Sequence, residues 1–164
     1  MASGDTLLIF TPLNNEPPAT VYATLDLRNN HPVLDFDDAT NEYAVFTSIL
    51  PRAYSGGGLT VSVFFAMSSA VSGDVLWTFW IERIGEIQDI DSDGFATEYY
   101  ADPKTVSGTS GIPVKVVRVL TDGTRMDHLA VGEPFRLKIR RTAESEDDTA
   151  SGDAELLAVE IKET

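Results

Sequence analysis

Residues 50–82 read LPRAYSGGGLTVSVFFAMSSAVSGDVLWTFWIE, and this stretch decides the fold class. It contains two apolar segments separated by turns rich in glycine and serine. Apolar side chains at every second position are typical of a β-strand with one buried face. That face carries Val61, Val63 and Phe65 in the first segment and Val75, Trp77, Phe79 and Ile81 in the second. The stretch has no recognisable catalytic group, so it predicts a packed β core.

The composition limits the classes of partner. The chain has 164 residues, of which 43% are hydrophobic, and a formal net charge of −14. This negative charge repels phosphate backbones and anionic lipids, so we expect neither a nucleic-acid nor a membrane partner. No run approaches the roughly 18 apolar residues of a membrane span, and the polar start MASGDT is unlike a signal peptide. The lack of cysteine excludes disulfides and thiolate metal sites.

The whole chain shows strand patterns and almost no helical ones. We predict an all-β fold, a single antiparallel β-sandwich of jelly-roll type with about eight strands. The candidate strands are 7–10, 21–27, 42–50, 59–67, 75–84, 114–120, 134–141 and 154–162. Residues 20–164 form the sandwich domain, and residues 1–19 are either an N-terminal arm or its first strand. The acidic segment 142–153 is expected to be a mobile, exposed loop without a structural role.

Two surface features of the predicted strands call for a partner. Arg136, Lys138, Arg140 and Arg141 form a basic stripe, which pairs either with acidic loops of another molecule or across its own sheet. Trp80 lies opposite the core face of its strand, so both faces of that strand require cover. The cover comes either from a segment of the same chain or from a second subunit.

Tests for catalytic and metal chemistry give little. His31 and His128 lie in turns or connections without a neighbouring nucleophile motif, and paired carboxylates for glycoside hydrolysis cannot be located from sequence. Residues 89–94, DIDSDG, match the opening of a calcium loop, but Tyr100 stands where that loop needs a bidentate glutamate. Asx turns explain the segment better, although weak calcium binding stays open. We predict a protein that is not an enzyme and uses no cofactor.

Three segments carry a resemblance to a known family: HPVLDFDDATNEYAVFTSILPRAYSGGGLTVSVFF (31–65), SGDVLWTFWIERIGEIQDIDSDGF (72–95) and GEPFRLKIRRTAESEDDTASGDAELLAVEIKE (132–163). Together they resemble the jelly-roll accessory proteins of tailed bacteriophages, which decorate or cement the capsid. The resemblance implies a homotrimer or homodimer on the capsid exterior, made in the host cytoplasm and bound to the major capsid protein.

Two functions follow as hypotheses. The first is capsid decoration, a structural role at the joints between major capsid subunits, with partner contacts from Leu8, Phe10, Trp80, Arg136, Lys138 and Arg140. The alternative is a tail or fibre β-sandwich module that binds a host carbohydrate. In that case Trp80, Tyr99 and Tyr100 are the candidate stacking residues.

Overall fold

The computed structural model describes residues 4–164. Their order is β1 (Thr6–Phe10), β2 (Thr24–Arg28), β3 (His31–Phe36), β4 (Glu42–Ile49), β5 (Leu59–Met67), β6 (Asp74–Val75), β7 (Trp77–Arg83), β8 (Tyr99–Tyr100), β9 (Lys104–Thr105), β10 (Val114–Leu120), β11 (Pro134–Arg141) and β12 (Ala154–Glu163). Two short 3-10 turns lie at Pro12–Asn14 and Thr124–Met126. None of the helices among these residues is long and apolar enough to cross a membrane.

The strands form two main antiparallel sheets. Sheet A has the order β10-β5-β12-β3-β2, and β1 also pairs with β12, beyond the end of β3. Sheet B has the order β4-β11-β7-β8, and β6 and β9 form a separate two-stranded ribbon. The all-β antiparallel sandwich of jelly-roll type is therefore confirmed, with twelve strands in the described residues instead of about eight.

Aromatic side chains join the inner faces of the two sheets. Trp77 of sheet B meets Phe36 and Phe65 of sheet A edge-on, with ring centroids 5.0 and 5.3 Å apart. Phe10 of β1 stacks on Phe46 of β4 at 5.2 Å. Such pairs add about 0.5–1.5 kcal/mol each to the burial of their surface. Residues from both sheets thus form one core.

Residues 6–16 pack onto the sandwich. β1 is a strand of sheet A, and the chain after it runs along the free edge of β4, where the Val45 amide donates to Asn15 Oδ1 (2.9 Å) and the Glu16 amide to the Val45 carbonyl (2.8 Å). An edge covered in this way is not open to another chain. Phe10 is buried in the core and Leu8 packs against it. Both were predicted to contact a partner, and the core burial of Phe10 corrects that assignment.

The β2–β3 hairpin corrects one turn assignment. His31 was predicted to lie in a turn, but the turn consists of Asn29 and Asn30, with φ of 46° and 65°. Two residues with positive φ make the tight turn that suits a right-handed strand pair. His31 and Pro32 already belong to β3, which the sequence reading missed.

The loop of residues 142–153 corrects a second expectation, because it is anchored rather than free. Arg141 is fully buried, and its guanidinium forms an ion pair with Asp148 (Nη2 to Oδ1, 2.8 Å). It also donates to the carbonyls of Ala150 (2.6 Å), Gly152 (2.7 Å) and Phe36 (3.2 Å). Arg141 therefore leaves the basic stripe, since successive residues of a strand point to opposite faces.

Candidate functional site

The candidate site lies on the outer face of sheet B. In β11 the side chains of Phe135, Leu137 and Ile139 enter the core, while Arg136, Lys138 and Arg140 point outward. The strand register sets Tyr43 of β4 beside Arg140 and Trp80 of β7 beside Lys138. Alternation along one central strand thus places three cations in a row between two strands that carry aromatic rings.

Lys138 is at the centre of this arrangement. Its Nζ lies 4.2 Å from the ring centroid of Phe95, 4.5 Å from that of Trp80 and 5.6 Å from that of Tyr43. Partial burial, followed by the charge of Arg140, lowers the pKa of the Lys138 ammonium, with Glu82 and Glu98 acting in the opposite direction. Contact with three ring faces offsets part of the lost hydration through cation–π attraction.

The two arginines are each held by a carboxylate and a ring. Arg136 pairs with Glu82 (Nη1 to Oε2, 2.8 Å) and lies over Phe95, with its Cζ 5.0 Å from the ring centroid. Arg140 lies over Trp80 at 4.9 Å and has a longer ion pair with Glu98 (3.9 Å). We call the set Tyr43, Trp80, Phe95, Arg136, Lys138 and Arg140 the cation–aromatic face.

The chain between β7 and β8 supplies Phe95. The Ala96 amide donates to the Ile81 carbonyl (2.8 Å), which fixes this segment against the edge of β7. At its start the Asp91 amide donates to Asp89 Oδ1 (3.1 Å), an Asx turn as the sequence favoured. The described residues contain no group of three His, Cys, Asp or Glu side chains that would hold a metal ion. The segment therefore contributes a ring to the face rather than a visible metal site.

The three predicted stacking residues differ in position and exposure. Trp80 does lie on the outer face, but it is only 9% exposed because Lys138 and Arg140 cover its ring. Tyr100 is 44% exposed at the margin of the face, opposite Thr78. Tyr99 points the other way, and the guanidinium groups of Arg118 and Arg125 lie over its ring at 4.8 and 4.0 Å. We therefore remove Tyr99 from the candidate set.

Two aromatic members of the face were missed from the sequence. Tyr43 alternates with the buried Ala44 in β4, so strand periodicity could have placed it outward. Phe95 follows a turn in an irregular segment, and no sequence pattern indicates that its ring reaches β11.

A further cleft lies elsewhere. It has a volume of about 630 Å³ and is lined by residues that include Arg83, Ile87 and Glu133. Two of its charged groups satisfy each other, because Arg83 donates from Nε and Nη2 to the two oxygens of Glu133 at 2.6 Å each. No aromatic ring of the described residues lines this cleft, so the cation–aromatic face is the better candidate.

Comparisons with known proteins agree on the fold. No protein-family model matches the chain, and no curated protein matches its sequence. Among solved structures it is similar to a xylan-binding module described as CBM15, with a TM-score of 0.51 and 8% identity over 96% of this chain and 97% of the other.

Two further similar structures are the CBM22-2 and CBM22-1 xylan-binding domains of Xyn10C from Paenibacillus barcinonensis. Each has a TM-score of 0.52, with 13% and 12% identity, respectively. They cover 92% and 99% of this chain, and the matches span 92% and 96% of the domains themselves. At such low identity these similarities show a shared jelly-roll sandwich.

Proposed function

We propose that this protein is a non-catalytic carbohydrate-binding module whose ligand lies on the cation–aromatic face. The observation that carries the proposal is the outward row of Arg136, Lys138 and Arg140 bordered by aromatic rings on both neighbouring strands. Aromatic ring faces pack against the C–H faces of sugars, and fixed hydrogen-bond donors orient the hydroxyl groups. The carbohydrate-binding β-sandwich, which was the alternative hypothesis from the sequence, is therefore the function that we propose first.

The similar structures support this proposal at the level of fold. The three compared proteins are described as xylan-binding, and all use a sandwich that matches nearly the full length of this chain. Because fold alone does not determine function, the assignment depends on the chemistry of the face. The module binds the polymer without catalysis, and the negative charge of the chain repels other polyanions.

The test is a binding titration of the purified protein against soluble polysaccharides, with xylan first in the panel. We expect saturable binding that Phe95→Ala or Tyr100→Ala weakens about tenfold, the loss typical of a well-placed contact. Phe64→Ala is the matched control for Phe95→Ala, because Phe64 is also partly buried with a lysine over its ring, but lies on sheet A. Absence of binding across the panel, or equal losses in the control, would overturn the proposal.

A second candidate is the role in a virion, with the major capsid protein and further copies of this chain as partners. One observation favours a protein partner: Leu13, Tyr22 and Leu25 line a cleft of about 300 Å³ and are 67%, 47% and 52% exposed. Exposed apolar clusters often mark contact surfaces. The test is co-sedimentation of the protein with capsids stripped of accessory proteins, where saturation at lattice stoichiometry supports decoration and no co-sedimentation removes it.

A further inference from the structure

We infer that the saccharide recognised by the cation–aromatic face carries carboxylate groups at sparse intervals, and that the Lys138 ammonium receives one of them. The inference rests on the proposed function, since it names the chemical class of ligand for the same face. Three features of the protein support it: an imbalance of charge at that face, the burial of one cation and the charge of the whole chain.

Within the described part of the chain, Lys138 lacks the carboxylate partner that the two neighbouring cations of the row have. Arg136 is paired with Glu82 and Arg140 with Glu98. In contrast, Lys138 forms no ion pair or hydrogen bond with any side chain of residues 4–164, although both neighbours in the row do. The row therefore keeps one uncompensated positive charge between two neutralised ones.

The position of Lys138 indicates that this unpaired charge does more than keep the protein soluble. An exposed lysine keeps its hydration and needs no partner, but Lys138 is partly buried among the rings of Phe95, Trp80 and Tyr43. Rings attract a cation only weakly compared with a carboxylate, particularly where water is partly excluded. A ligand carboxylate would restore the balance that Glu82 and Glu98 provide for the arginines.

The charge of the whole chain limits how anionic the ligand can be. A net charge of −14 repels a densely charged polymer such as a polysulfated glycan. A neutral chain with occasional uronate groups avoids this repulsion and brings a single charge to a single ammonium. Its uncharged sugar units remain free to pack on the rings, so the two contributions act together.

The experiment compares three soluble polymers by titration at low salt: xylan with sparse glucuronate groups, the same xylan with its carboxyl groups reduced to alcohols, and dextran sulfate. We expect the native xylan to bind about tenfold more tightly than the reduced one, as for a hydrogen bond to a charged group. The preference should fall as sodium chloride is added, because salt screens the charge. Equal binding of native and reduced xylan overturns the inference while the proposed function stands.

The other outcomes are equally decisive. Tighter binding of dextran sulfate than of native xylan overturns the inference in favour of unspecific polyanion binding. Failure of native xylan to bind overturns the inference, and absence of binding across the whole polysaccharide panel overturns the proposed function as well.

Two lysine variants assign the effect to a residue. Lys138→Met keeps the length and apolar contacts of the side chain against the rings, so we expect the fold to persist and the preference for native over reduced xylan to vanish. Lys115→Met is the matched control, because Lys115 also lies near a ring, that of Phe64 at 5.9 Å, but on the other sheet. A preference that survives Lys138→Met would refute the assignment, with circular dichroism confirming that each variant is folded.

Discussion

Replacing Arg141 with methionine should destabilise the protein more than any surface change. The substitution removes a side chain with no exposed surface and leaves the carboxylate of Asp148, itself 1% exposed, without its cation. Removal of one partner from a buried ion pair costs about 3–5 kcal/mol. The carbonyls of Ala150 and Gly152 also lose their guanidinium donor, which places the expected loss at the upper end of that range.

The assay is urea denaturation combined with a thermal melt. In a domain of this size 1 kcal/mol corresponds to roughly 2–4 °C, so a loss of about 5 kcal/mol predicts a decrease in Tm of about 10–20 °C. Lys162→Met is the control, because the side chains of Lys162 and its ion-pair partner Glu160 are 34% and 20% exposed, and this pair should contribute no more than about 1 kcal/mol. Limited proteolysis should also cut residues 142–153 in the variant sooner than in the parent protein.

A double variant tests the cause. Arg141→Met combined with Asp148→Leu removes both charges, so part of the loss should be recovered relative to Arg141→Met alone. A single variant that loses less than about 1 kcal/mol would refute the reasoning, because it would mean that solvent reaches Asp148 without cost.

Three further predictions concern the fold. Gly58→Ala should lower the free energy of unfolding much more than Gly56→Ala in the same turn does. Both glycines have positive φ, but only at Gly58 would a Cβ meet a main-chain carbonyl of β10, at 2.6 Å. Equal losses in urea titrations would contradict this. Phe10→Ala should cost about 3–5 kcal/mol by the same assay, and Ile9→Ala, at a 66% exposed position, about 0.5 kcal/mol or less; similar values for both would argue against β1 as a core strand. For Asp35, burial and then neighbouring carboxylates raise the pKa from 3.8 to about 6, so the folded state binds its proton more tightly than the unfolded state and stability is lost as pH rises through that interval. The full shift corresponds to ~3 kcal/mol, which solvent screening reduces to about 1 kcal/mol. Asp35→Asn should therefore raise Tm at pH 8 by the equivalent of that smaller value and give no gain at pH 3.5. A gain of equal size at both pH values would exclude this carboxyl as the cause.

Strand periodicity predicted the regular part of the fold well. The bounds of β5, β10 and β11 coincide with the predicted 59–67, 114–120 and 134–141. In β5 and β11 buried apolar side chains recur at every second position, which is the pattern that predicted them. β3 was missed since His31-Pro32 directly follows two asparagines, and proline is usual in a turn. The interruption at Leu76, where β6 ends and β7 has not begun, depends on contacts of residues 142–153 that no local pattern reveals.

The candidate site was predictable only along single strands. The outward direction of Arg136, Lys138 and Arg140 follows from alternation. The same rule places Arg141 on the opposite face, and its inclusion in the predicted basic stripe was wrong. The approach of Phe95 to Lys138 depends on where a long connection folds back, which is a tertiary effect. Sequence alone therefore indicated the cations of the face but not the ring that partly covers them.

The position of β12 affects how the protein reaches its folded state. This strand lies between β5 on one side and β1 and β3 on the other, yet it follows all of them along the chain. Until β12 has left the ribosome, the edges of β1, β3 and β5 that pair with it stay open. Folding must then bring together residues as distant in sequence as Thr6 and Lys162. We expect folding in milliseconds to seconds and a nascent chain that is prone to aggregation until its final strand joins the sheet.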